Sequence, residues 1–405
     1  MATIYTNGTG GGSWGATETW DGGVVPGVGD DAVILASDTI IEVPEGVTCF
    51  LNSGIITTNS GIVTSNDGVI TTNSSAGTIV TNNGPGYIET NNGIVTTNDG
   101  LVATNNLIVT NNNNTVATNS ASGTVDTNNL YVTTNDGAVN TNSVTGSINT
   151  NNLMVTINNG MVDINSASGT VDTNNLTVYD NSGTVNTNNG TVNTSSGNVT
   201  TNSSTGTVTI NYSVITTNDG TVLTNDSTGT ITTNSYLVTL NDGLIETNNG
   251  DVTTNSSTAG TGTITTNNGT VTTNNLYIAT NNGTVTTNSS SGSITTNYLY
   301  VYVNNGSITS NEAAGIIYRN ANTVNTNNGT LYQYSTGIIT GNSGTIYLME
   351  HGSSALGIGI GVNAFSDPGI SNIAQGVTYY FNDVVLTGTK KVGGGVNGSG
   401  ILGVI

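Results

Sequence analysis

Charge of either sign is scarce in this chain of 405 residues, and positive charge is almost missing. Charged residues make up 7% of the sequence, against about 25% in a typical soluble domain. Only three residues are Lys or Arg, whereas 24 are Asp or Glu, so the formal net charge is -21. Such a polyanion repels phosphate backbones and anionic lipids. We therefore expect no nucleic-acid partner and no membrane partner.

Cysteine, histidine and long apolar runs are also rare. Cys49 is the single cysteine, so no disulfide can form within the chain, and His351 is the single histidine. Catalytic Ser-His-Asp or Cys-His arrangements need a histidine base, and zinc sites need clustered Cys and His ligands. No run approaches the roughly 18 apolar residues of a membrane-spanning helix. We therefore predict that the protein is not an enzyme and that it has no metal site and no cofactor.

One short unit is repeated through most of the chain instead. Its consensus is Gly-Thr-Val-Thr-Thr-Asn with a spacer of Asn, Ser or Asp, as in NGTVTTNNLYIATNNGTVTTN at 268–288. A coiled coil is excluded, because it needs two apolar positions per heptad and good helix formers. Thr and Val favour strands, and Asn-Gly and Asp-Gly favour turns. Each unit is therefore predicted to be a short strand followed by a corner.

A longer period of about 23 residues is superposed on this unit. The group SASGTVDTN, NLYVTTN, DGAVNTN at 120–142 is followed by similar groups at 143–165 and 166–188. Three strands per period predict an all-β fold, a triangular β-solenoid of about 13 coils in which each face stacks strand on strand. A fibre of three intertwined chains, each supplying one face, is the alternative that periodicity leaves open.

The alternation of side chains along a strand predicts what such a coil contains. The nearly invariant Val or Ile should point inward, as should Leu where it replaces the unit's Gly. Asn at the corners can hydrogen-bond along the axis from one coil to the next. The predicted ladders contain Val132, Val155, Val178, Leu130, Leu153, Leu176, Asn135, Asn158 and Asn181.

The two ends of the chain differ from the repeat. Residues 1–52 hold both tryptophans, and we predict a cap or attachment region there, since exposed edge strands would otherwise polymerise. The repeat is assigned to 53–350. A small β module or oligomerisation segment is predicted for 351–405.

Two terminal segments resemble elements of known proteins. TWDGGVVPGVGDDAVI at 19–34 is similar to an element that precedes β-solenoids in bacteriophage virion proteins and bacterial surface proteins. DPGISNIAQGVTYYFNDVVLTGT at 367–389 resembles a short module of phage head and tail appendage proteins. The resemblance implies a virion structural protein assembled in the host cytoplasm. The amino terminus MATIYTNGTGGGSWG lacks the pattern of a secretory signal, which agrees with that expectation.

Four surface features bear on further activities. Tyrosines cluster late in the repeat, at Tyr298, Tyr300, Tyr302 and Tyr318, and form a candidate partner or glycan surface or pack across strands. A tailspike glycan depolymerase would need two carboxylates beside a sugar cleft, but the outward acids are scattered. Outward Thr-x-Thr pairs resemble the arrays of ice-binding solenoids, although neighbouring units interrupt them. The many Asn-x-Ser/Thr sites leave glycosylation open.

These observations predict a structural, non-catalytic fibre or decoration protein of a phage particle, located in the virion. A homo-oligomer is expected, with a trimer favoured, together with contacts to other virion proteins and to a cell-surface glycan. The alternative is a secreted or cell-surface adhesin or filament subunit outside the cell.

Overall fold

The chain folds as an all-β parallel β-solenoid of about 19 turns, the fold class that the repeat predicts. The computed structural model describes residues 2–256, 262–333, 337–348, 378–381 and 384–387. Two units are distinguished, the first of residues 1–201 and 205–207 and the second of 202–204 and 208–405. Among the described residues, no helix is long and apolar enough to span a membrane.

Nearly all strands are five residues long and are separated by short corners. The odd-numbered strands are β1 (Thr3–Tyr5), β3 (Asp31–Ile34), β5 (Thr48–Asn52), β7 (Ile62–Asn66), β9 (Thr78–Asn82), β11 (Ile94–Asn98), β13 (Ile108–Asn112), β15 (Thr124–Asn128), β17 (Ala138–Asn142), β19 (Met154–Asn158), β21 (Thr170–Asn174), β23 (Thr184–Asn188), β25 (Asn198–Asn202), β27 (Val214–Asn218), β29 (Thr230–Asn234), β31 (Leu244–Asn248), β33 (Thr263–Asn267), β35 (Tyr277–Asn281), β37 (Ser293–Asn297), β39 (Ser307–Asn311), β41 (Thr323–Asn327), β43 (Ile338–Asn342) and β45 (Thr378–Phe381).

The even-numbered strands are β2 (Gly11–Gly12), β4 (Thr39–Val43), β6 (Ile55–Asn59), β8 (Val69–Asn73), β10 (Tyr87–Asn91), β12 (Leu101–Asn105), β14 (Thr115–Asn119), β16 (Tyr131–Asn135), β18 (Ser147–Asn151), β20 (Met161–Asn165), β22 (Thr177–Asn181), β24 (Thr191–Ser195), β26 (Thr207–Asn211), β28 (Thr221–Asn225), β30 (Leu237–Asn241), β32 (Asp251–Asn255), β34 (Thr270–Asn274), β36 (Thr284–Asn288), β38 (Tyr300–Asn304), β40 (Ile316–Asn320), β42 (Thr330–Gln333), β44 (Thr345–Leu348) and β46 (Val384–Thr387).

One turn of the solenoid contains two strands. Within each unit a strand pairs in parallel with the strand two places later, for example β15 with β17 and β16 with β18. Each unit therefore has an odd sheet and an even sheet, named here after their strands. The predicted triangular coil, with three strands per turn and 13 coils, is wrong in these details. Fewer strands per turn give more turns from the same chain.

The 23-residue period has a simple cause in this geometry. It comprises three strands, which is one and a half turns, so a segment and its copy fall on opposite sheets. Units of seven or nine residues can follow one another in any order, because each places one strand on one sheet. The extra seven-residue units that disturb the period at 189–202 and 249–255 therefore leave the stack intact.

Strand sequence explains strand burial. In Thr-Val-Thr-Thr-Asn the second and fifth residues are buried, as at Val285 and Asn288, and the third is exposed. Val and Ile fit the pleated surface, and a fully buried Val contributes about 1.5–3 kcal/mol. Strict alternation would bury the fourth residue, but the chain bends into the corner there. The Asn side chain turns inward as a result.

Two buried tryptophans pack against each other in the amino-terminal segment that the sequence predicts to be a cap, and that role stays a prediction. Two short 3-10 helices, Thr17–Thr19 and Asp21–Gly23, place Trp14 and Trp20 in an edge-to-face contact with centroids 4.8 Å apart. Both rings are buried, and their indole N–H groups donate to the carbonyl oxygens of Pro26 and Trp14. Buried indoles with satisfied N–H groups stabilise the packing of this segment.

At the other end, β45 pairs in parallel with β44 and antiparallel with β46. These two strands are the described part of the predicted module at 351–405. The rest of that module, including His351, lies outside the described residues.

Candidate functional site

Columns of stacked asparagine side chains run along the interior of both units. In each rung, the Nδ2 of one Asn donates to the Oδ1 of the Asn one turn later, at 2.7 Å from Asn142 to Asn158 and 2.8 Å from Asn151 to Asn165. Rungs are mostly 14 or 16 residues apart in the chain, which is one turn. The predicted asparagine ladder is confirmed.

Each unit has one such column per sheet. In the first unit they contain Asn52, Asn66, Asn82, Asn98, Asn112, Asn128, Asn142, Asn158, Asn174 and Asn188 on the odd side, and Asn59, Asn73, Asn91, Asn105, Asn119, Asn135, Asn151, Asn165 and Asn181 on the even side. In the second they contain Asn202, Asn218, Asn234, Asn248, Asn267, Asn281, Asn297, Asn311, Asn327 and Asn342, and Asn211, Asn225, Asn241, Asn255, Asn274, Asn288, Asn304, Asn320 and Gln333.

All these rungs point the same way along the chain. The donor is the earlier residue and the acceptor is the later one. Many Nδ2 groups also donate to a backbone carbonyl in the following turn, as Asn151 does to Thr170 at 3.2 Å. Aligned amide dipoles polarise one another, and few polar atoms are left unsatisfied in a dry interior.

The even column has a visible start and one visible break in the first unit. Val43 pairs with Asn59, so the Oδ1 of Asn59 is buried without a donor. Ser195 stands where the repeat predicts Asn, and its hydroxyl accepts from Asn181 at a longer 3.2 Å. The Ser195 hydroxyl donates to the Gly197 carbonyl oxygen at 2.8 Å.

Restoring the amide at this break should stabilise the first unit. We expect Ser195→Asn to raise the free energy of unfolding by about 1 kcal/mol, because it adds an amide rung in place of a weak hydroxyl contact. Urea unfolding followed by circular dichroism measures the change. Ser196→Asn, one residue later in an exposed corner, is the matched control and should be neutral. A neutral or destabilising Ser195→Asn would contradict a stabilising role for the rungs.

The structure distributes the predicted ladder residues over both sheets. Val132, Val155 and Val178 are fully buried, but Val155 lies on the odd sheet and the other two lie on the even sheet. In the same way Asn158 belongs to the odd column, and Asn135 and Asn181 belong to the even one.

The predicted leucine ladder is wrong. Leu153 and Leu176 are each 45% exposed, and Leu130 is half-buried. These residues occupy the corner just before a strand, where the side chain points away from the interior. They also alternate between sheets, since the period that suggested the ladder is one and a half turns.

A second, outer row of amides and carboxylates follows the corners. The residue after the inner Asn donates to, or accepts from, its counterpart one turn away, as Asn189 does to Asn175 at 2.9 Å and Asn152 to the Asp136 carboxylate at 2.7 Å. Asp can replace Asn as acceptor in such a row. Burial, and then the neighbouring Asp226 carboxylate, raise the pKa of Asp242 in the second unit.

Glycine at the corner is required by close approach of the backbone. A Cβ on Gly137 would overlap the carbonyl oxygens of Gly123 and Ser120, which belong to the preceding turn, and would crowd the Asn119 amide. Gly84, in another corner, has no atom within 4 Å of the same position. The recurring glycines are therefore not equivalent.

Tyrosines form a stacked ladder on the even sheet of the second unit. Tyr302 and Tyr318 have centroids 4.9 Å apart at an interplanar angle of 11°, and Tyr318 and Tyr332 are 5.8 Å apart at 6°. Tyr300 lies beside them, 6.1 Å from Tyr318. Tyr332 also pairs in backbone register with Tyr347 on β44.

Of the predicted tyrosine surface, Tyr300, Tyr302 and Tyr318 are brought together, whereas Tyr298 lies in a corner and makes no ring contact with the described residues. Ring faces within the ladder cover one another, so the ladder presents ring edges to solvent. Partial desolvation, and then the neighbouring phenols, raise the pKa of Tyr318.

Removing the central ring should destabilise the second unit. We expect Tyr318→Thr to lower the free energy of unfolding by about 1.5–4.5 kcal/mol, because the three stacked pairs with Tyr300, Tyr302 and Tyr332, of about 0.5–1.5 kcal/mol each, are lost. Thr is a good strand residue that many units carry. Thermal unfolding of the variant is compared with that of Tyr298→Thr, which removes an exposed unstacked ring. Equal effects of both substitutions would show that stacking contributes nothing.

Residue types associated with other chemistry are placed as follows. Among the described residues, no group of three His, Cys, Asp or Glu side chains could hold a metal ion. Cys49 occupies a buried Val position, and burial raises its pKa to about 12. The outward acids Asp126 and Asp172 each accept a hydrogen bond from an Asn on the next strand.

The Thr-x-Thr pairs do not form one array. Those on β34 and β36 lie on neighbouring strands of the even sheet, and those on β29 and β33 belong to the odd sheet. Asp251 lies on β32 beside β34, and Leu244 lies on β31 beside β33, so other residue types interrupt both groups of Thr pairs.

Comparison of the chain with protein-family models, with curated proteins and with solved structures finds no match.

Proposed function

We propose that this protein is a structural, non-catalytic element that supplies a stiff β-solenoid for display or adhesion. The observation that carries the proposal is the inner amide column on each sheet of each unit, which among the described residues of the first unit is interrupted at Ser195. Every rung joins consecutive turns by a side-chain hydrogen bond in addition to the backbone ladder. Bending or stretching a turn away from its neighbour must break both sets of bonds, which suits a load-bearing part.

We propose further that it is a fibre or decoration protein of a phage particle, acting as a homo-oligomer, with a trimer favoured, in contact with other virion proteins. The support is the resemblance of 19–34 and 367–389 to segments of virion proteins. The net charge of -21 supports the absence of nucleic-acid and membrane partners. The absence of catalysis is part of the same proposal.

Particle association tests this assignment. Particles are purified on a density gradient from lysates of cells that carry the gene, and an antibody to the recombinant chain is applied to the fractions. Co-sedimentation with particles and regular immunogold labelling of heads or tails are expected. Signal confined to soluble or cell-envelope fractions would overturn the virion assignment.

An adhesin or extracellular filament is the second candidate, and the tyrosine ladder favours it. Exposed phenol edges repeat from turn to turn on the even sheet, with Tyr302 45% and Tyr318 39% exposed. A cell-surface glycan could hydrogen-bond along such a row. Binding to intact cells that is lost in a Tyr302→Thr/Tyr318→Thr variant but kept in Tyr298→Thr would support this function. Equal binding by the wild type and by both variants would contradict a glycan-binding role for the tyrosine ladder.

A further inference from the structure

One outward face of the first unit combines exposed apolar side chains with strands that carry no charge, although Asp67 and Asp99 lie in the corners that follow two of these strands. Strands β5, β7, β9, β11 and β13 are consecutive on the odd sheet. Each presents at least one apolar side chain outward, from the first or the third position of the strand, and five of these residues form what is called here the apolar stripe: Phe50, Ile62, Val80, Ile94 and Ile108. Phe50 is 48% exposed and Ile62 is 42% exposed.

The five strands contain no Asp, Glu, Lys or Arg at any position. The strands on either side of these five do contain acids, since β3 begins at Asp31 and β15 carries Asp126. The even sheet over the same turns also has exposed apolar residues, such as Ile55 and Leu101. It differs because two exposed acids, Glu42 and Glu89, lie on its strands. The stripe is therefore bounded by acids on its own sheet and is distinct from the face behind it.

We propose that the apolar stripe is a self-association surface whose occupant is the same face of a second copy. Two copies of a chain with a net charge of -21 repel each other, and repulsion is weakest where five strands carry no charge. A second copy has the same rise per turn, so rows of Thr and Ile on two facing sheets stay in step along their length. Sheets that pack face to face in this way interdigitate their side chains about 10 Å apart.

The area sets the strength of this contact. Five strands spaced about 4.8 Å apart, each about five residues long at about 3.3 Å per residue, cover roughly 400 Å². A standard stable interface buries about 800 Å² per partner. A pair held by the stripe alone should therefore be a weak dimer whose population rises with protein concentration. Added salt should strengthen the dimer, because screening reduces the repulsion between the negatively charged surfaces of the two chains outside the stripe.

The inference rests on the self-association in the proposed function and names a surface for it, one that pairs two copies rather than three, but it does not depend on a virion. The test is the mass of the full chain by sedimentation equilibrium over a range of protein and salt concentrations. The wild type should rise above 40.9 kDa with both. Phe50→Thr/Ile94→Thr should stay at 40.9 kDa, and the opposite-sheet control Ile55→Thr/Leu101→Thr should behave as the wild type.

The outcomes separate the two proposals. A wild type that is monomeric under all conditions would overturn the stripe and the homo-oligomer together. Association that persists unchanged in Phe50→Thr/Ile94→Thr would overturn the stripe alone and leave another surface responsible. Association that weakens with salt would also contradict it, since that indicates ionic contacts. Circular dichroism establishes that both variants are folded, and Thr already occupies outward positions in these strands at Thr48 and Thr64.

Discussion

Asn151→Asp lowers the free energy of unfolding of the first unit by about 3–5 kcal/mol at pH 7, because it places an unpaired charge in the dry interior. Asn151 is fully buried, accepts from Asn135 and donates to Asn165 at 2.8 Å. A carboxylate keeps the first bond but faces the Asn165 oxygen and the Thr170 carbonyl without a proton to donate. Asn149→Asp, the same change at an exposed position of the same strand, should cost less than about 0.5 kcal/mol.

The effect of Asn151→Asp should depend on pH with a definite sign. Burial beside acceptors raises the pKa of the new carboxyl above the value of about 3.9 that it has in the unfolded chain. The loss of unfolding free energy relative to the wild type is therefore largest at pH values above the folded-state pKa. It shrinks as the pH falls towards the unfolded value, because the protonated acid can donate to Asn165 as the amide did.

Urea unfolding of the wild type and both variants at pH 7 and at pH 4 measures this dependence. We expect a large loss of unfolding free energy for Asn151→Asp at pH 7, a smaller loss at pH 4, and little change for Asn149→Asp at either pH. Equal deficits for the two variants at pH 7, or a deficit for Asn151→Asp that ignores pH, would mean that the inner column does not hold the turns together.

Gly137→Ala should destabilise the first unit by about 1–3 kcal/mol, since its methyl group would overlap two backbone carbonyl oxygens of the turn below. Backbone cannot yield as a flexible side chain does, so adjacent turns must move apart and strain the rungs beside them. Elsewhere Gly→Ala commonly stabilises by about 0.4–1 kcal/mol through the unfolded state.

Gly84→Ala is the matched control for this second substitution. Its Cβ meets no atom within 4 Å, and only the restriction on a residue before Pro85 opposes the change, so this variant should lose far less stability than Gly137→Ala. Thermal unfolding midpoints of both variants provide the measurement. If Gly137→Ala is as stable as Gly84→Ala, the turns are not in the close contact described here.

The strands and corners could be predicted from the repeated unit, because Val and Thr favour strands whereas Asn and Gly favour turns. Repetition of the unit supports the same assignment at every copy. The inward Val and the asparagine ladder follow from one unit alone. The number of strands per turn does not, since it depends on how sharply the corner bends. A period of about 23 residues is compatible with one turn of three strands or with one and a half turns of two.

The wrong prediction for the leucines and the incomplete prediction of the tyrosine ladder also arise because the sharpness of the corner, and so the number of strands per turn, cannot be read from the sequence. Strict alternation predicts that Leu153 and Leu176 point inward, because each lies two residues before a buried Val, but the bend of the corner leaves both side chains exposed. Tyr302, Tyr318 and Tyr332 are separated by one turn each, so their stacking becomes visible only when the turn is known to contain two strands. The apolar stripe was hidden for the same reason, since its members lie on every second unit.

Disulfide trapping of neighbouring turns tests the two-strand turn most directly. Asp126 and Asn140 lie side by side on β15 and β17, where the Asn140 amide donates to the Asp126 carboxylate at 2.8 Å. Cys49 is buried and does not compete. On mild oxidation of the full chain, Asp126→Cys/Asn140→Cys should form an intrachain disulfide, because adjacent strands are within bridging distance. Asp126→Cys/Asn149→Cys, spaced by the 23-residue period, should not. A disulfide in the second variant and none in the first would contradict the two-strand turn.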